Sequence, residues 1–229
     1  MNPGMRLSIV VPTLNEAAGI AATLQHLQAL RAAGNEVIVA DGGSRDATPT
    51  LAAPLADRVI QSPRGRARQM NAGAAAAGGG ALLFLHADTR LPADAVQAIE
   101  QALALRAWGR FDVMIEGRSP WLVVVAGLMN LRSRLTGIAT GDQGIFVTRA
   151  AFDAVGGFPD QPLMEDIKLS KCLKRLGPPA CLQNRVTTSG RRWERHGVGR
   201  TVLLMWRLRF NYWRGVPAER LARRYTPES

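Results

Sequence analysis

Short apolar runs alternate with helix-periodic segments through the first half of the chain. LSIVV (7–11), EVIVA (36–40) and ALLFL (81–85) are continuous apolar runs bounded by turn residues, the pattern of strands buried on both faces. DRVIQS (57–62) reads as a further strand. Between them lie IAATLQHLQALRAAG, with apolar positions at helical spacing and a stop at Gly34, and the alanine-rich GRARQMNAGAAAAGGG, which ends in glycines. Ser44 or Asp46 is expected to cap a short helix after the second strand, and Pro92 to mark the first turn of PADAVQAIEQALAL. Repeated strand–helix units predict an α/β domain with a mostly parallel sheet flanked by helices.

Beyond residue 108 the alternation loosens. FDVMIEG and ACLQNRVTTSG read as strands, GIFVTRAAF as a strand turning into a helix, and MEDIKLSKCLKRLG as an amphipathic helix. WLVVVAGLMNLRSRL is expected to be a buried or groove-lining helix. TVLLMWRLRFNYWRG and PAERLARRY are helical by periodicity and form a C-terminal tail. The expected division is one domain over 1–190, with a first half to about 108 and a second over 109–190, followed by a basic amphipathic helical tail over 191–229.

Length and composition fit this picture. At 229 residues with 47% hydrophobic content, the chain can bury a substantial core and is not of disordered composition. The net charge of +11 is unevenly placed. Arg191, Arg192, Arg195, Arg200, Arg207, Arg209, Arg214, Arg220, Arg223 and Arg224 follow Gly190, opposed only by Glu194, Glu219 and Glu228. Such asymmetry points to an anionic partner. Cys172 and Cys181 form no CxxC pair and read as reduced thiols of a cytoplasmic protein. No secretory signal is visible, and no apolar run approaches the ~20 residues of a membrane span.

Four acidic motifs carry the chemistry. Pro12-Thr13-Leu14-Asn15-Glu16, Asp41-Gly42-Gly43-Ser44 and His86-Ala87-Asp88-Thr89 each follow a predicted strand, and Glu165-Asp166 opens a helix. Ligands of open α/β sheets bind at the carboxyl ends of the strands. Carboxylates gathered there repel one another unless a metal, lysine or arginine joins them, so this set suits a metal-bound phosphate or sugar hydroxyls. Taken singly, each motif is no more than a turn or helix cap. AAAAGGG is not a phosphate loop, because no Gly-Lys-Ser/Thr follows.

Together, VVPTLNE, DGGSRD, GRARQMNAG, FLHADT, GDQGIFV and GGFPDQPLMEDIKLS resemble glycosyltransferase family 2, inverting enzymes of GT-A fold. The resemblance covers most of the chain, and the SGRRWERHG ending is similar to a small bacterial subgroup of that family. It implies a nucleotide-diphospho-sugar transferase fold, Rossmann-like in its sheet, and transfer of a single sugar, of hexosyltransferase type, to an acceptor hydroxyl. Pro12, Thr13, Glu16 and Asp41 would face the nucleotide's base and ribose. Arg66 and Asn71 would lie near the donor phosphates, where a helix N-terminus and an arginine favour anions.

By the same resemblance, Asp88 matches the last aspartate of the family's DxD motif and would hold Mg²⁺ or Mn²⁺. His86 replaces the first aspartate, leaving one carboxylate fewer; a contact to ribose or base suits it better than metal ligation, and His196 is a second imidazole candidate. Asp166, paired with Glu165, matches the catalytic base. Gly141, Asp142 and Gln143, with Arg192 and Trp193, would line the acceptor and donor-sugar side. SGRRW resembles the QxxRW signature of processive synthases, but Ser189 stands in place of the glutamine, which favours single-sugar transfer.

Two other readings differ in what they leave unexplained. A nucleotidyltransferase that makes the sugar nucleotide would carry a glycine-rich basic loop after the first strand, where this chain has PTLNE. A nucleic-acid-binding module would explain the charge, but the strand-end acids would repel phosphates. The expected partners are a nucleotide-diphosphate sugar and an acceptor that is lipid-linked if the tail docks on an anionic membrane. The protein would then sit on the inner face of that membrane; the alternative is that the tail packs on the domain or a second subunit.

Overall fold

A computed structural model describes residues 5–225. Glu228 lies outside the described residues, as does the side chain of Arg224. The strands are β1 (Leu7–Thr13), β2 (Glu36–Asp41), β3 (Arg58–Gln61), β4 (Ala81–Phe84), β5 (Thr89–Arg90), β6 (Trp108–Glu116), β7 (Ile145–Thr148) and β8 (Ala180–Ser189). They form one sheet in the order β3-β2-β1-β4-β7-β6-β8-β5. β3, β2, β1 and β4 pair in parallel, as the strand–helix alternation predicts. β7 runs antiparallel to both β4 and β6, and β5 antiparallel to β8, whereas β6 and β8 are parallel. The result is a mixed α/β fold with helices on the sheet and a helical C-terminal tail.

The apolar runs behave as expected for two-sided burial. Ile9, Val10 and Val11 of β1, Val37, Ile38 and Val39 of β2, and Leu82 and Leu83 of β4 are all fully buried. Alternate residues serve opposite faces: Ile9 and Val11 join Leu24, Val37 and Leu83 on one side, while Val10 joins Ala67, Met70 and Leu82 on the other. The helix Arg66–Ala76 lies close to β1 because Gly73 has no side chain; a Cβ there would run into Val10. Gln69 fixes the same helix to the strand ends, donating from Nε2 to the carbonyls of Thr13 (2.7 Å) and Ala40 (3.0 Å).

Several local expectations are corrected. The helix after β1 is broken at Leu27 into Ile20–His26 and Gln28–Ala32. Ala47 rather than Ser44 or Asp46 stands at the N-cap position of Thr48–Ala52, but Asp46 Oδ1 accepts from the first helical N–H, that of Thr48 (3.0 Å), while Ser44 ties a loop. The helix after Pro92 begins at Ala95, with Pro92 one turn earlier as a carbonyl acceptor for the Ala95 N–H. The helix Trp121–Thr136 buries only Leu122, Val125, Ala126 and Ser133, so it is neither buried nor groove-lining along its outer side.

The tail packs on the body of the protein through one face. Leu208 of Val198–Trp213 and Leu221 of Ala218–Tyr225 are buried with Leu163, Met164 and Ile167, so these two helices brace the start of the helix Glu165–Leu173. No helix among the described residues is long and apolar enough to cross a membrane. Cys172 and Cys181 are unpaired.

Candidate functional site

A cleft of about 570 Å³ opens at the carboxyl ends of β1 and β4. Pro12, Thr13, Glu16, Arg66, His86, Asp88, Gly141, Asp142, Glu165, Asp166, Arg192 and Trp193 all line it, so twelve of the sequence-selected residues meet in one place. Asp41, Asn71 and Gln143 do not line it.

The loops that carry Glu16 are held by the side chains of the next loop. Ser44 Oγ accepts from the Asn15 N–H (2.8 Å), Thr48 Oγ1 from the Glu16 N–H (2.8 Å), and Asp46 Oδ2 from the Ala17 N–H (3.1 Å). Asp41 is buried, and its carboxylate accepts from Thr13 Oγ1 (3.2 Å) and from the N–H groups of Gly43 and Ser44. These acids shape the loops and leave Glu16 turned into the cleft. Burial raises the proton affinity of Glu16, and the neighbouring Asp88 carboxylate raises it further, while Arg191 opposes both.

Asp88 sits in a tight turn after β4, in which the Thr89 N–H donates to the His86 carbonyl (3.0 Å). Glu16 and Asp88 thus form a like-charged pair beside the cleft. The described residues contain no cluster of three His, Cys, Asp or Glu side chains able to enclose a metal unaided. A divalent ion such as Mg²⁺ takes one or two protein carboxylates and completes its shell with substrate phosphates and water. The Glu16–Asp88 pair fits that kind of ion, and a cation would relieve its repulsion.

His86 has a different attachment. Its Nδ1 lies 3.2 Å from Asp142 Oδ1, and Nε2 is buried with no hydrogen-bond partner. The imidazole packs directly under Gly141, where a Cβ would collide with it. This contact holds the turn Gly141–Gln143 at the cleft and draws the Asp142 carboxyl below its usual proton affinity, against the opposing effect of burial. His196 is exposed on the short helix Arg191–His196 and does not line the cleft.

On the opposite wall, Met164 takes a left-handed backbone conformation (φ 64°) and turns the chain into the helix Glu165–Leu173. Asp166 then projects into the cleft, with Oδ2 accepting from the Gly141 N–H (3.0 Å) and Oδ1 from its neighbour Ile167 N–H (2.7 Å). Burial and the adjacent Glu165 raise the Asp166 carboxyl to about 6, against the two N–H groups and Arg66. Glu165 is buried and lies 3.5 Å from the Arg66 guanidinium. Arg66 opens the helix Arg66–Ala76 after Gly65 (φ 135°), so Arg64, Gly65 and Arg66 bring a helix N-terminus and two cations to the cleft.

The residues outside the cleft have other contacts. Asn71 pairs both ways with the backbone of Phe158 (2.7 and 2.9 Å) and so anchors the 156–158 loop. Gln143 is fully buried, caps Thr140 through Oε1, and reaches Asn130 with Nε2 (3.4 Å).

Several lining residues were not selected for the site from the sequence. Gln69, Thr140, Thr188, Thr201, Met205, Arg209 and Tyr225 come from separate elements, and the last four of them include tail residues that reach the cleft only through packing. The Arg192 guanidinium stacks on the Tyr225 ring at 3.8 Å. Arg132 does not line the cleft. Its Nε and Nη2 are buried without partners, and burial lowers its hold on its proton while Asp166 and Asp142 oppose that change.

Residues 8–111 match the family model Glycosyl transferase family 2. No curated protein matches the chain in sequence. Among solved structures, the mannosyltransferase PcManGT from Pyrobaculum calidifontis, in complex with GDP-Man and Mn²⁺, superposes with TM-score 0.67 at 22% identity, covering 91% of this chain and 61% of that one. S. aureus TarS 1–349 in complex with UDP-GlcNAc gives 0.63 at 17%, covering 81% and 58%. Glucosyl-3-phosphoglycerate synthase from Mycobacterium tuberculosis, in complex with Mn²⁺, UDP and glucosyl-3-phosphoglycerate, gives 0.60 at 21%, covering 81% and 71%. At these identities the likeness is one of fold, and the chain spans less than two thirds of the first two proteins. Residues 8–111 thus resemble glycosyltransferase family 2, and the chain shares the GT-A fold of these glycosyltransferases.

Proposed function

We propose that the protein is an inverting, single-sugar glycosyltransferase that uses a nucleotide-diphosphate donor and Mn²⁺ or Mg²⁺. One observation carries the reading. Asp166, a carboxylate of raised proton affinity held by two backbone N–H groups, shares a cleft with Arg64, Arg66 and a helix N-terminus. These are the parts needed to take a proton from a nucleophile and to hold a diphosphate as it leaves.

In the proposed reaction Asp166 removes the acceptor hydroxyl's proton as that oxygen bonds to the anomeric carbon. The bond from the anomeric carbon to the phosphate oxygen breaks on the other side, its electron pair leaving with the nucleoside diphosphate and the configuration inverting. Arg66 and Arg64 then receive the departing charge, and Arg66 also pairs with the buried Glu165 beside the base. Asp88, with Glu16 next to it, would hold the cation, which supplies further neutralisation of the diphosphate when bound. Pro12 and Thr13 would meet the base and ribose, while Gly141, Asp142, Arg192 and Trp193 lie on the sugar and acceptor side. Asp41, Asn71 and Gln143 act through the loops they fix. GDP-Man and UDP-GlcNAc in the related structures support a nucleotide-sugar donor, and Mn²⁺ in two of them supports the metal.

The division into a nucleotide half, an acceptor half and a basic tail is retained in this reading, with the tail supplying Thr201, Met205, Arg209 and Tyr225 to the cleft wall. We further take the acceptor to be lipid-linked and the protein to be peripheral on the cytoplasmic membrane face, on the strength of the tail's arginines. The test is Asp166→Asn: donor binding retained with transfer lost supports the proposal, and undiminished transfer moves the base elsewhere.

A further inference from the structure

Two helices carry unpartnered apolar stripes. On Trp121–Thr136, Trp121, Val124, Leu128, Leu131 and Leu135 are all at least half exposed, and they follow one another at steps of three and four residues. On Val198–Trp213, Leu203, Trp206, Phe210 and Trp213 repeat the same steps and are likewise exposed. Steps of three and four place each set on a single helix face. The two helices pack on each other, with Val198 and Val202 joining Leu122, Val125 and Ala126 in the core. The stripes therefore belong to adjacent elements.

Charge identifies what covers them. Neither helix contains an acidic residue. Arg200, Arg207 and Arg214 recur every seven residues on the line of Leu203 and Phe210, all exposed, and Arg118 is exposed just before the other helix. A second copy of this chain docked through the same face would set Arg200, Arg207 and Arg214 against one another with no acidic residue on either helix to pair them. An anionic bilayer surface supplies both missing partners: phosphates for the guanidinium groups, and an apolar boundary for the leucines and the rings of Trp121, Trp206 and Trp213.

We propose that the paired outer faces of Trp121–Thr136 and Val198–Trp213 form one interfacial surface that seats the protein on an anionic lipid bilayer. This deepens the peripheral reading of the tail and rests on it, but it adds a helix outside the tail and names the contacts. The inner face of Val198–Trp213 bears on the cleft, which Thr201, Met205 and Arg209 line. Docking would therefore hold the acceptor side of the cleft beside the lipid headgroups.

Co-sedimentation of the full chain at low salt, with vesicles of phosphatidylcholine alone and with added phosphatidylglycerol, tests the proposal. The wild type is expected with the anionic vesicles. Replacing Arg200, Arg207 and Arg214 by glutamine is expected to lower the partition about 100-fold. Leu128→Ser with Leu131→Ser, outside the tail, is expected to lower it at least about 10-fold. Both variants are expected to keep wild-type nucleotide binding by calorimetry, which separates failure of this surface from failure of the transferase reading. Equal recovery on neutral and anionic vesicles overturns the membrane reading altogether. Unchanged binding by the leucine variant overturns the two-helix surface and leaves the tail alone. A wild-type dimer in light scattering that the same substitutions dissociate overturns it in favour of a second copy.

Discussion

The Gly141 N–H donates to Asp166 Oδ2 at 3.0 Å, joining the turn after the helix Trp121–Thr136 to the acid at the head of Glu165–Leu173. Because Gly141 also rests on His86, the position of the acid depends on a residue three strands earlier in the chain. Gly141→Ala keeps the N–H but drives a methyl group into the imidazole. Transfer is expected to fall about 10²-fold, the cost of displacing a reacting group by an ångström or so. Adding His86→Ala makes room and is expected to recover part of that loss; strictly additive losses in steady-state assays would show that the two residues do not act through one contact.

Asp166→Asn is expected to cut transfer by roughly 10²–10⁴-fold. In the wild type the base works only when ionised, so the rate should rise with pH through about 6 and then level off. A flat profile between pH 5 and 7.5, with the variant still active, would point to another base.

The same acid has a stability signature. Its folded-state proton affinity lies above the ordinary value of 3.8, so ionisation costs more in the folded chain than in the unfolded one. The stability associated with the protonated form is fully present below about pH 4 and is lost as pH rises through about 6. Relative to the wild type, Asp166→Asn should therefore gain on the order of 2 kcal/mol between pH 4 and pH 7.5. Urea unfolding at both values measures this, and a difference independent of pH would remove the burial and Glu165 effects from the explanation.

Asp88→Ala is expected to abolish the Mn²⁺-dependent part of nucleoside diphosphate binding with the fold intact. It should also bring Glu16 closer to an ordinary carboxyl, because the like charge beside it is gone. Calorimetry with and without Mn²⁺ checks the first effect, and metal-dependent binding that survives the substitution would exclude Asp88 as a ligand.

Much of the parallel half was legible because LSIVV, EVIVA and ALLFL can be buried on both faces only as central strands. The acids that end those strands were legible for the same reason. The antiparallel insertion of β7 and the two-residue β5 are set by long-range pairing and leave no local period. At Asp41 and Asn71 the motif was visible, but the contacts were not: their side chains hold loops. Tyr225 reaches the site only through tertiary packing, and the exposed outer side of Trp121–Thr136 runs against its composition, which reads as core.

The most direct test of the central claim is a thermal-shift panel of guanosine- and uridine-diphosphate sugars on the wild-type protein, with and without Mn²⁺. A true donor stabilises the fold by mass action, about 2.7 kcal/mol at a concentration of 100 Kd. The expected result is stabilisation by at least one nucleotide sugar, larger with Mn²⁺ and lost in Asp88→Ala. A panel in which no nucleotide sugar shifts the transition at saturating Mn²⁺ would contradict a donor site in this cleft.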